Sequence, residues 1–180
     1  MKRFSKLRTA QRKQAGGSIV ETMIASVILL IGIVPVMALF TVAAGKNASQ
    51  GDIATRTVEY SQDKTEQLLA LSFNDGSTDT AVYPAAAAGG QGLGGTMAAS
   101  STVGGTNPAA PVAGYVDYLD FDGNLVPNSA GAVYTRVWSI STDATGFLKT
   151  IQVVTAAKSA GGDSGKPPST TVVSAKASSR

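Results

Sequence analysis

The stretch Ala15–Gly32, AGGSIVETMIASVILLIG, decides how the chain is organised, because it sets one glutamate at the threshold of a long apolar run. From Met23 to Ala44 there is no Asp, Glu, Lys or Arg, and only Ser26, Gly32, Pro35 and Thr41 interrupt the apolar side chains. A helix of those 22 residues extends roughly 33 Å, enough to cross a hydrocarbon core. A buried core helix is the plain alternative, but such runs are usually shorter. A carboxylate at the edge of a bilayer is costly and is rarely placed there without a partner. Glu21 therefore raises the question of what it pairs with.

Charge gives the run a direction. Lys2, Arg3, Lys6, Arg8, Arg12 and Lys13 precede it with no acid among them, and only Lys46 follows closely. The positive-inside rule puts residues 1–16 in the cytoplasm and the chain after Lys46 outside. The net charge of +3 belongs to this leader, since the remaining nine basic residues face twelve acidic ones. Nothing in that remainder suggests nucleic-acid binding. With no His and no Cys, the commonest general base, the usual transition-metal ligands, disulfides and thiol chemistry are all lacking. No cofactor and no metal site is expected.

Two local readings stay open. Pro35 cannot donate to the carbonyl of Ile31 and Gly32 lies close by, so a helix break or kink is expected between Gly32 and Pro35. The alternative is simple tolerance, since Gly and Pro are commoner in membrane helices than in soluble ones. A secretory signal ending at Val42-Ala43-Ala44 is a second alternative. Against it stand the length of the run, beyond the usual 7–15 residues, and the position of Glu21.

Gly16-Gly17-Ser18-Ile19-Val20-Glu21-Thr22-Met23-Ile24-Ala25 resembles the prepilin signature of type IV pilins and of type II secretion pseudopilins. The resemblance implies cleavage between Gly16 and Gly17 by a prepilin peptidase, N-methylation of Gly17, and Glu21 as the fifth mature residue. Three positions depart from the family pattern: Gly17 stands where Phe is usual, Thr22 follows the glutamate, and Pro35 falls early. Cleavage creates an ammonium one helical turn from Glu21, on the same face. The resemblance further implies that in filament assembly Glu21 neutralises the terminal amine of a neighbouring subunit. A glutamate snorkelling to the cytoplasmic interface is the plainer alternative.

Beyond the apolar run the helical pattern continues to Leu71, with Ala54, Val58, Ser61, Thr65 and Leu68 as a narrow seam of mostly small residues. Glu59, Asp63, Lys64 and Glu66 fall away from that seam, and Asn74-Asp75-Gly76 is a stop signal. The stretch Tyr60–Leu71 is similar to minor pilins of the pilus-modification class. Residues 77–114, rich in Ala, Gly, Thr and Pro, read as a loop without regular structure, either a flexible spacer or a variable recognition loop.

From Tyr115 the pattern turns to strands: Tyr115–Phe121, Ala132–Thr142, Gly146–Ala156 and a weaker Thr170–Ala177. Tyr134, Trp138 and Ile140 share one face with Arg136 between them, and Phe147, Ile151 and Val153 share another. Trp138 reads as a core anchor, with a surface cation–π pair to Arg136 as the alternative. Asp120-Phe121-Asp122-Gly123-Asn124 reads as a turn; a calcium loop lacks its later acid, since Leu125–Ala132 has none. "GGQGLGG" is no phosphate cradle, because neither a preceding strand nor a following Lys-Ser/Thr accompanies it.

The expected fold is α+β: a long N-terminal helix, transmembrane then amphipathic, packed on a small antiparallel β-sheet head. The expected segments are a basic prepilin leader over 1–16, a transmembrane helix over 17–44 and its amphipathic continuation over 45–73. A low-complexity loop over 74–114 and a sheet head over 115–180 with a flexible C-terminus follow. The resemblance implies a non-enzymatic minor pilin of the inner membrane, head in the periplasm, later built into a pilus. Its partners would be other pilin or pseudopilin subunits, the prepilin peptidase, the inner-membrane assembly platform and the lipid bilayer. A type II secretion pseudopilin and a membrane-anchored periplasmic binding module are the alternatives.

Overall fold

The computed structural model describes residues 18–80, 91–158 and 167–178. Among these residues one helix, α1 (Ile19–Ala70), is followed by five strands: β1 (Thr102–Gly104), β2 (Val116–Leu119), β3 (Tyr134–Thr142), β4 (Leu148–Ala157) and β5 (Ser169–Ala177). The chain divides into two compact units, Met1–Lys46 and Asn47–Arg180. The second holds the later turns of α1 and the whole sheet. The result is the expected α+β arrangement of a long helix and a small antiparallel sheet.

Helix α1 runs without interruption through Gly32 and Pro35. Neither residue ends it, so the expected break is not an end of secondary structure. Proline removes one backbone donor and leaves the other bonds of the ladder intact.

The sheet is built on β3, which pairs with β4 over its full length, Tyr134↔Ala157 through Thr142↔Lys149. Its other margin is shared end to end by β2 opposite Tyr134–Val137 and β1 opposite Ser139–Ser141. β5 pairs with β4 and closes the order β1-β3-β4-β5. All pairs are antiparallel. Alternation turns Tyr134, Arg136, Trp138 and Ile140 of β3 and Ile151 and Val153 of β4 inward. Trp138 is fully buried in the main apolar cluster with Leu68, Leu93, Tyr115, Ile140, Ile151 and Val153.

Helix and sheet approach through small hydroxylated residues. Thr57 Oγ1 lies 2.8 Å from Thr170 Oγ1, and Ser61 Oγ donates to Thr155 Oγ1 at 2.8 Å. The same Ser61 hydroxyl lies 2.8 Å from the Thr57 carbonyl, so polar groups at the contact are paired rather than left dry. The expected seam needs correcting at two positions. Val58 is 38% exposed whereas Lys64 is only 3% exposed. The face is set by Thr57, Ser61, Lys64 and Leu68, spaced at four and three. Hydrophobicity misplaced it because the inward lysine has a carboxylate waiting on the sheet.

The loop expected to be without regular structure over 77–114 is ordered in its described second half. Leu93 is fully buried, β1 adds a strand, and Leu93 N and Gly95 N both donate to the Asp75 carbonyl, at 2.7 and 2.9 Å. Gly92, with φ +49°, presses against the Asp75 backbone, where a Cβ would collide. The glycines that look like low complexity are thus tight-turn residues. Residues 81–90 of that loop lie outside the described residues. Phe147, expected to share the face of Ile151 and Val153, is 51% exposed, because β4 begins at Leu148, two residues after the expected start, so that Phe147 lies outside the strand and the inward series starts at Lys149.

The turns lean on aspartates. Asp143 accepts from the Leu148 N–H at 3.1 Å and from the Thr145 hydroxyl; Asp120 Oδ1 accepts from the N–H groups of Asp122 and Asn124 at 2.9 and 2.8 Å. The 120–124 stretch is therefore a turn held by its own carboxylate. Hydrogen bonds, from the Thr145 hydroxyl at Asp143, from the Asn124 side chain at Asp120 and from Thr78 at Asp75, hold all three carboxyls below their ordinary value of 3.8.

Two predictions follow from this packing. Leu68→Ala should destabilise the head by about 2–5 kcal/mol, as large-to-small changes at buried sites do, and Val58→Ala by no more than about 0.5 kcal/mol; denaturant unfolding of the detergent-solubilised chain separates them. A depressed folded value means that the stabilisation exists above the ordinary carboxyl value and is lost as pH falls through the folded one. Asp143→Asn should thus be less stable than wild type at neutral pH, and the difference should shrink in melts taken as the pH falls below 3.8.

Candidate functional site

Two arrangements stand out. The first is the helical segment from Ser18 to Lys46. Every residue in it is exposed, including sixteen large apolar side chains from Ile33 at 47% to Ile19 at 79%. Water does not tolerate such a contiguous surface, so another apolar medium must cover it. The segment is long and apolar enough to cross a membrane. Its backbone meets the requirement of that medium. The Thr22 hydroxyl donates to the Ile19 carbonyl at 2.8 Å. Ser26 donates to the carbonyls of Thr22 and Met23 at 2.8 and 2.9 Å, and Thr41 to that of Met37 at 2.9 Å. Each hydroxyl inside the run is satisfied by its own helix, the condition for exposure to hydrocarbon.

Ser18 starts the helix. Its carbonyl accepts from the N–H groups of Glu21 and Thr22, at 2.9 and 3.1 Å, and its hydroxyl lies 3.4 Å from the Val20 nitrogen. Glu21 sits in the first turn, where the positive end of the helix dipole favours a carboxylate. It is the sole ionisable side chain from Ile19 to Gly45, and no ion pair ties it to another described residue. Gly16 and Gly17, the expected cleavage and methylation positions, lie outside the described residues. Gly32 and Pro35 lie in the exposed interior of the segment, and nothing comes within 4 Å of where a Cβ on Gly32 would stand.

The second arrangement is a buried charge network in the head, which reading the sequence did not reveal. Asp117 of β2 and Arg136 of β3 are cross-strand partners. Asp117 Oδ2 accepts from Arg136 Nη2 at 2.6 Å and Nε at 3.0 Å and pairs with Lys64 Nζ at 2.7 Å. Arg136 Nη1 reaches back to helix α1, donating to the Tyr60 carbonyl at 2.9 Å and to Asp63 Oδ2 at 3.1 Å. Lys64 also donates to the Thr80 carbonyl at 2.6 Å and lies 4.4 Å from the centre of the Trp138 ring. The cation–π partner of Trp138 is therefore Lys64, not Arg136. Lys64, Asp117 and Arg136 are at most 3% exposed. Burial lowers the Lys64 pKa, opposed by the charge of Asp117.

Two more lysines act as internal cations. Lys149 Nζ donates to the carbonyls of Phe73, Leu93 and Gly95, at 2.7, 2.9 and 2.6 Å, tying the chain after α1 to the sheet. Lys176 Nζ caps the helix end through the Leu69 carbonyl at 2.5 Å, where a cation is favoured by the dipole. Parity could have found part of this: Arg136 shares an inward face with Tyr134 and Trp138, and a buried arginine needs a carboxylate. Among the described residues no three His, Cys, Asp or Glu come together as metal ligands. No protein-family model, curated protein or solved structure matches the chain.

The network makes a sharp expectation. Asp117→Asn leaves two buried cations without their shared counter-charge and should cost about 3–5 kcal/mol, whereas Lys64→Met, which keeps the Asp117–Arg136 pair and fills the space, should cost far less. Because the folded Lys64 value is lowered, the unfolded chain binds more protons just below pH 10.5, and Lys64 makes stability rise with pH there. Melts across that window should show a shallower rise for Lys64→Met.

Proposed function

We propose that the chain is a structural subunit of the type IV pilin kind, a minor pilin of the pilus-modification class, whose work is assembly rather than catalysis. The observation that carries this reading is the exposed apolar segment from Ile19 to Ala44, whose one ionisable group, Glu21, lies in the first turn. An ordinary membrane anchor has no use for a carboxylate there, since charge within or beside the hydrocarbon is costly. A segment that leaves lipid for a bundle of like helices does, if a cation of its neighbour meets the carboxylate. The helix continues into a head with its own core, as expected of a subunit that displays a domain from a filament.

In this reading residues 1–16 face the cytoplasm of an inner-membrane precursor and the head stands in the periplasm. A prepilin peptidase cuts between Gly16 and Gly17, and the new amino group of Gly17 is methylated. At the assembly platform, Glu21 of an incoming subunit neutralises the terminal amine of another pilin. Both charges are unfavourable alone in an apolar bundle, so their pairing fixes axial register.

The deciding measurement is the intact mass of the chain extracted from its native membrane. The expected product begins at Gly17 and carries one added methyl group. A mature start at Gly45 would mean a secreted domain, and an uncut chain an anchored module; either overturns the reading. Glu21→Ala should be processed and inserted normally yet fail to enter filaments, scored by its absence from the sheared pilus fraction.

A further inference from the structure

A cavity of about 480 Å³ opens beside the charge network of the head, a volume suited to a small molecule or one long side chain. Asp63, Gln67 and Leu71 line it at four-residue steps along α1, facing Asp79 and Thr80 of the following chain and Asn124 and Leu125 of the turn after β2. Lys64 and Arg136, each only 3% exposed, form its floor. It lies wholly within the unit Asn47–Arg180, and the filament reading makes no use of it.

The cations of the floor are already held. Lys64 Nζ is engaged by Asp117 and the Thr80 carbonyl, with the Trp138 ring beneath it. Arg136 gives Nε and Nη2 to Asp117, and Nη1 to the Tyr60 carbonyl and Asp63. With Asp117 included, three carboxylates, Asp63, Asp79 and Asp117, stand against two cations around the cavity. An anion entering it would meet the rim carboxylates and find both cations taken. The other polar groups are mostly acceptors. Both bonds to Asp63 fall on Oδ2, from Arg136 Nη1 at 3.1 Å and Gln67 Nε2 at 2.9 Å, so among the described residues Oδ1 is the oxygen left for a ligand. The amide nitrogens of Gln67 and Asn124 are engaged by Asp63 and Asp120, which leaves the carbonyl oxygens of both side chains. Thr80 adds a hydroxyl with no partner among the described residues.

We propose that this cavity binds an organic cation of the alkylguanidinium type, its N–H groups on Asp63, Gln67 and Asn124 and its stem against Leu71 and Leu125. A guanidinium carries one positive charge and five donors in a planar fork that suits a carboxylate and neighbouring carbonyl oxygens. Its alkyl stem meets the two leucines, the apolar part of the wall. An uncharged polyol would satisfy the acceptors but leave the excess carboxylate without a counter-charge as water is displaced. The same chemistry is offered by a small free cation and by an arginine side chain of a partner protein. Binding here is independent of the filament reading and involves the head alone.

The test is calorimetric titration of the full-length chain in detergent micelles, measured against empty micelles. Butylguanidinium should bind saturably at one site, and butylurea, its uncharged analogue of the same shape, about tenfold or more weakly. Asp63→Asn should weaken butylguanidinium by about tenfold or more, whereas Glu59→Gln, an exposed acid of the same helix outside the cavity, should leave it unchanged. Leu125→Trp, at a position 40% exposed, should fill the cavity and abolish binding without lowering the melting temperature. Equal binding of blocked arginine, Nα-acetyl-arginine amide, supports the proposal with a partner's side chain as the source; binding of butylguanidinium alone supports it with a free cation. No saturable binding, equal binding of butylurea, equal losses in Glu59→Gln and Asp63→Asn, or binding that survives Leu125→Trp would each overturn it.

Discussion

The structure of the head depends on one buried carboxylate. Asp117 is reached by Lys64 from the helix and by Arg136 from the neighbouring strand, and Arg136 returns to the Tyr60 carbonyl. Each cation would be costly in this dry space alone. Together they specify which helical face meets the sheet, because only the turn containing Tyr60, Asp63 and Lys64 offers a carbonyl, a carboxylate and an ammonium at the right spacing. Buried charge adds little net stability against an apolar core of equal volume. Its consequence here is orientation, with Trp138 held beneath Lys64 as a fixed point of the core.

Around that point the packing follows from size. Thr57, Ser61 and Thr65 are small enough to bring the helix close, and their hydroxyls are absorbed by helix carbonyls and by Thr155 and Thr170. Leu68 and Leu93 close the apolar end. Lys149 gathers three carbonyls of the chain following the helix, which gives an order to a segment with few apolar residues of its own. The unit from Ser18 to Lys46 obeys the opposite rule. It buries nothing, satisfies its hydroxyls within itself, and exposes apolar surface throughout, so its stable surroundings must be apolar. A chain with one part suited to water and another to hydrocarbon is what the proposed filament subunit requires.

Much of this was legible in the sequence because it rests on local chemistry. The apolar run and the glutamate before it need only composition and order. The strand pattern of Tyr134–Thr142 and Leu148–Ala157 comes from alternation, and the turn at Asp120–Asn124 from residues that bond their own backbone. The helical face was misjudged at Val58 and Lys64, since hydropathy ranks valine inward and lysine outward when no partner is known. Phe147 was misjudged because, although it has the parity of Ile151 and Val153, it lies before the first residue of the strand, a boundary that side-chain types do not mark. The glycine-rich segment was read as unstructured because its order comes from the Asp75 carbonyl and Lys149, distant in sequence or hidden in the backbone.

The sequence by itself determined the long helix, the antiparallel strands and the place of Glu21 at the threshold of the apolar run, because each follows from the period and polarity of neighbouring residues. Tertiary structure alone decided which charges are buried together, which strand is left at the margin, and which face of the helix is hidden. Those outcomes depend on pairs such as Lys64 with Asp117 and Thr57 with Thr170, separated by dozens of residues along the chain. Their free energy arises when desolvation and compensation occur at the same place, and no local pattern records where that place will be.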